Sequence, residues 1–436
     1  MLFRDIDILN EDFSVSRGMN VRIEGAYIAS ISGSECPIPK DGDNYIDGSG
    51  KLLMPAFYNA HAHSPMTLLR GYGENMLLMD WLMKKVGPFE GRLNGEDCYY
   101  ATLLAMAESF ANGIVSSSDQ YFFCEDIVRA VIDSGAKMNV SRGLSFFDDV
   151  LDISAFRPYQ EAKKLYRDHH GSKDGRIMVD IGLHGEYTAT PELIDAVSGL
   201  LHDTGAKAHV HVSETRSEHE ECKERNGGRT PAQTLADAGI FDNGGIAAHC
   251  VWIEEKDADI LLEKGVTVCT CPVSNMKLAS GVARVPLMLN KGLNVALGTD
   301  GAASNNSLNF FETMKMTALS ARVRFGDPTL ITPSEALYAA TRAGALAQGR
   351  PDCGLIKEGF RADLIMLDGE SPALNPSFDM ANSLVFAASN RDIMLTMSDG
   401  EVVYANGQFP TIDMEIVLHE TERSRARILS ELKVID

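Results

Sequence analysis

The sequence predicts an α/β fold: a (β/α)8 TIM-type barrel with a small β-sandwich built from both chain ends. Three observations carry that expectation. Between residues 52 and 351, apolar runs of strand length alternate with stretches of helical period. Outside those bounds, both ends carry short strand signals separated by turns. Histidines and acids recur at the ends of the central strands, where such a barrel gathers its chemistry.

Residues 1–51 read as the first part of the β-sandwich. Short strands are expected from Leu2 to Ile8, Asn20 to Glu24, Tyr27 to Ile31 and Asn44 to Asp47, with turns at Asp41-Gly42 and Gly48-Ser49-Gly50. Residues 52–351 read as the catalytic barrel, with strands at 52–58, 114–119, 138–142, 176–184, 207–213, 245–250, 266–271 and 294–299. Helices are expected at 96–112, 192–203, 231–238 and 254–264, and Thr190-Pro191 and Thr230-Pro231 each set a cap residue before a proline at the first turn. A doubly wound sheet is the rival fold. It usually carries fewer strands and a glycine-rich phosphate loop, and no GxGxxG or GxxxxGK[ST] follows a strand here. Residues 352–410 return to β signals, closing on the Asn406-Gly407 turn, as the second part of the sandwich. Residues 411–436 read as a closing helix.

Composition narrows the function. The 44% apolar and 23% charged content is that of a soluble globular protein. A net charge of −21 argues against nucleic acid as a partner, because binding phosphates needs a basic surface. No run approaches the ~20 apolar residues of a membrane span. The N-terminus mixes acids with its apolar residues, unlike a signal peptide. Eight cysteines, Cys36 among them, lie scattered without a framework, so reduced thiols and a cytoplasmic location are expected. Cys269 and Cys271 form a CxC with no second pair, which fits buried strand residues better than a zinc site.

The chemistry sits at four strand ends. His61 and His63 are two apart, so they share one strand face and make a chelate for a divalent metal. The stretch 206–214 brings His209, His211 and then Glu214; His249 ends another strand, and Asp300 follows the apolar run 295–297. Any one of these is more often a satisfied core residue. Together at one rim, three histidines and one carboxylate make a mononuclear N/O site. A bound ion would give a water nucleophile at neutral pH. Glu214 suits a general acid toward a leaving group or ring nitrogen, His249 could orient the water and steady the oxyanion, and Asp300 could take the water's proton. His209 lies deeper and is expected in the core. The fourth strand, 176–181, holds no lysine to bridge two ions.

These motifs, in this order and at these distances, resemble the amidohydrolase superfamily over nearly the whole chain. NAHAHSPMTLLRGYGENMLLMDWL, HVHVSET, AAHCVW, PVSNMKLASG and LGTDGAASNNSLNFFE are similar to the branch of methylthioadenosine/S-adenosylhomocysteine deaminases. The resemblance implies one divalent metal on His61, His63, His211 and Asp300. Zinc is the first choice, with Fe²⁺, Mn²⁺ and Ni²⁺ as alternatives. It implies Glu214, His249 and Asp300 as catalytic residues, and Glu90, Arg142 and His184, with Glu214 and Asp300, as substrate residues. It implies hydrolysis of the exocyclic amine of an adenine-type nucleoside, releasing ammonia from a small-molecule substrate. A homo-oligomer is a candidate assembly, since barrels of this branch often associate. The rival activities are hydrolysis on a guanine, pterin or triazine ring, and, from another class, a non-catalytic metal-stabilised binding protein. Departures lie at Ala56 and Ala62, which remove no ligand, and at Glu186 and residues 146–166, which leave the substrate's 5′ group open.

Overall fold

The computed structural model describes residues 1–33, 44–147 and 152–433. The expected turn at Asp41-Gly42, Cys36 and residues 148–151 lie outside the described residues.

Strands from both ends of the chain share one eight-stranded mixed sheet. At its centre Leu2–Leu9 runs parallel to Lys51–Pro55, which pairs antiparallel with Leu364–Asp368. Ile393–Ser398 and Glu401–Ala405 extend the sheet on that side, and Val15–Glu24 and Tyr27–Ser32 extend it on the other. Two five-stranded parallel sheets make up the centre of the chain. One holds Phe57–His63, Ile114–Tyr121, Lys137–Arg142, Ile177–Val179 and the short Asp300–Gly301. The other holds Ile181–Gly185, Ala208–Val212, Gly245–His249, Val266–Thr270 and Val295–Leu297. Their strands are buried nearly throughout, the mark of parallel sheets covered on both faces.

Three stretches expected as single strands are each divided. The run 52–58 breaks at Ala56, whose N–H goes to the Asp363 carbonyl after a proline that has no N–H to give. Its first half therefore serves the mixed sheet and its second half a parallel sheet. The runs 176–184 and 294–299 break at Asp180 and at Gly298-Thr299. Each carries the chain from one parallel sheet to the other. A parallel bridge from Leu144 to Leu183 adds a direct link at the first of these seams.

Helices fill the connections and start where the sequence supplies caps. Thr190 and Thr230 accept backbone N–H bonds at the first turns of Pro191–Thr204 and Pro231–Asp237. Asn94 and Asp97 form a reciprocal capping box on Gly95–Ala111. The last helix, Met414–Glu431, packs on that helix and pairs Arg427 with Asp97. Beneath the parallel strands, fully buried Lys137 is paired with Asp363 and, at 2.7 Å, with Asp399. That pairing ties a parallel strand to the mixed sheet. All the strand ends that carry His61, His63, His211, His249 and Asp300 open on the opposite rim. No described helix is long and apolar enough to cross a membrane.

Candidate active site

Four donors converge at the C-terminal ends of the parallel strands. Asp300 Oδ1 lies 3.1 Å from His63 Nε2 and 3.4 Å from His61 Nε2. His211 Nε2 lies 3.3 Å from His63 Nε2. The register explains the meeting, since Asp300 stands opposite Ala62, between the two histidines of the chelate.

The outer atoms of these side chains are all engaged, which fixes what the inner atoms offer. His63 Nδ1 donates to the Gln120 carbonyl and His211 Nδ1 to the His184 carbonyl, both at 2.6 Å. A carbonyl only accepts, so each Nδ1 keeps its proton, and in the neutral ring Nε2 is a bare lone pair. For His61 the same result follows through a relay. Ser141 Oγ donates to the Asp119 carbonyl, so it accepts from His209 Nδ1; His209 Nε2 then accepts from His61 Nδ1 at 2.8 Å. His209, expected as an ordinary core histidine, is buried as expected but also orients the His61 ring. Asp300 Oδ2 accepts from Ser274 Oγ and Ser304 Oγ at 2.6 and 2.7 Å, which turns Oδ1 inward.

Three imidazole Nε2 atoms and a carboxylate oxygen facing one another call for a cation among them. His61 Nε2 is buried without any hydrogen bond. Burial pushes His61 down to about 3 and His211 well below its ordinary range, so both imidazoles stay neutral. Burial also works against a charged His63, yet the Asp300 carboxylate lifts it to about 9. Burial raises Asp300, but its contacts with His61 and His63 outweigh that and keep the carboxylate ionised. The set therefore fits a divalent N/O metal of the zinc type.

Glu214 and His249 flank these donors. Glu214 Oε2 lies 3.9 Å from His249 Nε2, and Oε1 accepts from Ser280 Oγ. Burial raises Glu214, with His249 pulling against it. His249 is raised too, because the Glu214 and Asp300 charges and its bond to Asn275 overcome burial. That bond, Nδ1 to Asn275 Oδ1 at 2.8 Å, directs Nε2 at the centre.

A cavity of about 270 Å³ lies over these groups, a volume that suits a small molecule. Glu90, His184, Glu214, His249 and Asp300 all border it. Burial pushes the Glu90 carboxyl up to about 7, against the hydrogen bond it accepts from Tyr121 OH at 2.6 Å. His184 Nδ1 meets Thr188 Oγ1, which donates to the Gly185 carbonyl, so His184 Nε2 is left as an acceptor. The outer wall is apolar, built from Leu78, Leu82, Met83, Val86 and Phe147.

Two residues sit elsewhere. Arg142 borders a second cavity, with Glu90 and Phe122 common to both. Its guanidinium lies over the Phe122 ring, and its Nε donates to Glu161 at 2.9 Å. Glu186 is buried away from the pocket lining, holding Arg225 at 2.6 Å and Asn226 at 2.9 Å. Sequence reading missed the supporting groups Gln120, Tyr121, Ser274, Asn275 and Ser304. The last three lie just past the strand ends in PVSNMKLASG and LGTDGAASNN, and that position was the available signal.

Comparisons with known proteins agree with this geometry. The amidohydrolase family model matches residues 52–403. The 5-methylthioadenosine/S-adenosylhomocysteine deaminase of Pelotomaculum thermopropionicum is 40% identical, over 95% of this chain and 95% of its own. The 5′-deoxyadenosine deaminase of Methanothermobacter thermautotrophicus is 37% identical over the same shares. A solved adenosine deaminase from Xanthomonas campestris with bound zinc superposes with a TM-score of 0.92 at 26% identity, over 98% of each chain. The chain belongs to the amidohydrolase family.

Proposed function

We propose that this protein is a metal-dependent aminohydrolase that removes the exocyclic amine of an adenine-type nucleoside as ammonia. The observation that carries the reading is the convergence of three imidazole Nε2 lone pairs and Asp300 Oδ1 beside Glu214 and His249. In this reading the two parallel sheets form one (β/α)8 barrel over residues 52–351, with the strands of 1–51 and 352–410 as a β-sandwich beside it.

His61, His63, His211 and Asp300 would hold one divalent ion, zinc first. When bound, such an ion supplies the Lewis acidity that makes water nucleophilic at neutral pH. Glu214, whose carboxyl burial raises above its ordinary value, donates its proton to the ring nitrogen next to the carbon that bears the amine. That protonation draws charge from the carbon under attack. Asp300 Oδ1 takes the proton the water gives up. His249 Nε2, aimed by Asn275, steadies the developing oxyanion and passes the proton to the amine. A C–O bond forms, the C–N bond breaks and ammonia leaves, and the water's second proton returns to Glu214 as the new hydroxyl becomes the ring carbonyl. Glu90 has one oxygen on Tyr121 and the other available to ribose hydroxyls. His184 Nε2 offers an acceptor in the same cavity. Arg142, behind Phe122, would meet only a 5′ group long enough to pass Glu90.

Relatives named for methylthioadenosine, S-adenosylhomocysteine and 5′-deoxyadenosine support this substrate class. The test is ammonia release by metal-analysed protein from adenosine, 5′-deoxyadenosine, methylthioadenosine, S-adenosylhomocysteine, guanine, cytosine and a chlorotriazine. Ammonia from one or more of the adenine nucleosides is expected. Ammonia from guanine alone, or chloride from the triazine, would replace the reading with one of its rivals.

A further inference from the structure

We propose that Glu218 is a positioning residue whose carboxylate clamps the turn that presents Glu214 to the substrate. The inference rests on the role given to Glu214 above.

The strand Ala208–Val212 ends abruptly. Ser213 takes a φ of 49°, a left-handed conformation that is strained for a non-glycine residue. The bend leaves three consecutive backbone N–H groups, of Ser213, Glu214 and Thr215, without strand partners. One carboxylate receives all three. Glu218 Oε1 accepts from Ser213 N at 2.7 Å, and Oε2 accepts from Glu214 N at 2.7 Å and Thr215 N at 3.3 Å. Charge-assisted bonds of that length are the strong ones.

Helix capping alone does not explain this arrangement. Glu218 is the third residue of Arg216–Arg225, and Thr215 Oγ1 accepts from its N–H, so the two form a capping box. A capping box uses only the Thr215 N–H, which here is the longest of the three bonds. The two short bonds reach further back, onto the residue that carries the acid and the strained residue before it. The helix start and the strand end are thereby locked to each other through one side chain. Burial and the Glu214 charge push Glu218 up to about 7, against the pull of the three N–H groups. A second buried carboxylate beside an acid is a cost that capping does not require.

Neighbours brace the same turn. Ser213 Oγ pairs with His219 Nδ1 at 3.0 Å, and the Ser213 carbonyl accepts from Trp252 N at 3.0 Å. Glu218 itself does not border the substrate cavity, so it acts through Glu214.

A double-mutant cycle on the full-length, metal-loaded protein tests this. Glu218→Gln keeps the volume but turns an N–H donor toward backbone N–H groups. It is expected to lower kcat/KM by about 30- to 100-fold, the scale of a catalytic group misplaced by an ångström, mostly in kcat. Metal content should equal wild type, because no metal ligand is touched. In a Glu214→Gln background the same change should cost less than about threefold, since the two act as one unit. Glu218→Asp should recover part of the loss. Where a double variant is too slow to assay, affinity for the deaminated product, read by calorimetry, completes the cycle. Equal losses in both backgrounds, or no loss in the first, would overturn the proposal. Wild-type protein that releases no ammonia from any adenine nucleoside would instead refute the activity on which it rests.

Discussion

The two ends of the pocket are built differently. At the inner end the converging side chains are buried, save His63 at 12% exposure, and each ring or carboxylate has its outer atom tied to a named partner. Gln120, His209, Asn275, Ser274 and Ser304 leave those groups one orientation each. Several of the turns there are left-handed, at Ser213, His249, Cys250 and Asp300. Strain of that kind persists only where surrounding bonds hold it. At the outer end the wall is apolar side chains. Met83 and Phe147 are 68% and 74% exposed. Glu90 and His184 offer polar contacts held by Tyr121 and Thr188, and Arg142 is engaged by Glu161 behind Phe122. Chemistry at such an inner end should be intolerant of change, while selectivity at the outer end should shift by small steps.

Disrupting the inner end should show the largest effects. His211→Ala or Asp300→Ala should lower kcat/KM by more than about 10⁴-fold, the scale of losing a member of a catalytic unit, and should lower bound metal measured by elemental analysis. Full activity in a metal-depleted variant would refute the role of the site. Glu214→Gln should cost about 10²- to 10⁴-fold in kcat with metal retained, as for loss of a general acid. Asn275→Ala frees the His249 ring and should cost about tenfold in kcat, with little change in KM, if its net effect is that of one buried hydrogen bond. Glu90→Ala at the outer end should raise KM for nucleosides about tenfold and leave a free base unaffected, and an equal effect on both would remove its ribose role. The smallest change belongs to Glu161→Gln. Releasing Arg142 should favour a carboxylate-bearing 5′ tail over a methylthio group by about twofold to fivefold, within the range of a surface ion pair.

The same contrast governs how much the sequence disclosed. His61, His63, His211, Glu214, His249 and Asp300 were legible because strand periodicity and strand-end position place such residues without knowledge of their neighbours. The partners that orient them were harder to see. Asn275 comes from the short helix Pro272–Lys277 and Ser304 from a turn, and His209 reads as core from periodicity alone. Division of three expected strands was hidden for a related reason. Apolar runs such as 52–58 keep one period across a change of sheet, and only the proline at 55 hinted at a break. Arg142 and Glu186 became readable only when their salt-bridge partners were seen, because pairing between charges distant in sequence leaves no periodic trace.

The central claim is that the buried centre hydrolyses the exocyclic amine of adenine in a nucleoside. The most direct measurement is mass spectrometry of the product formed from 5′-deoxyadenosine by metal-analysed protein in heavy-oxygen water, with ammonia assayed in parallel. The account predicts an intact nucleoside carrying one heavy oxygen on its ring, and one ammonia for each molecule formed. Free adenine, or a converted nucleoside without ring label, would contradict it.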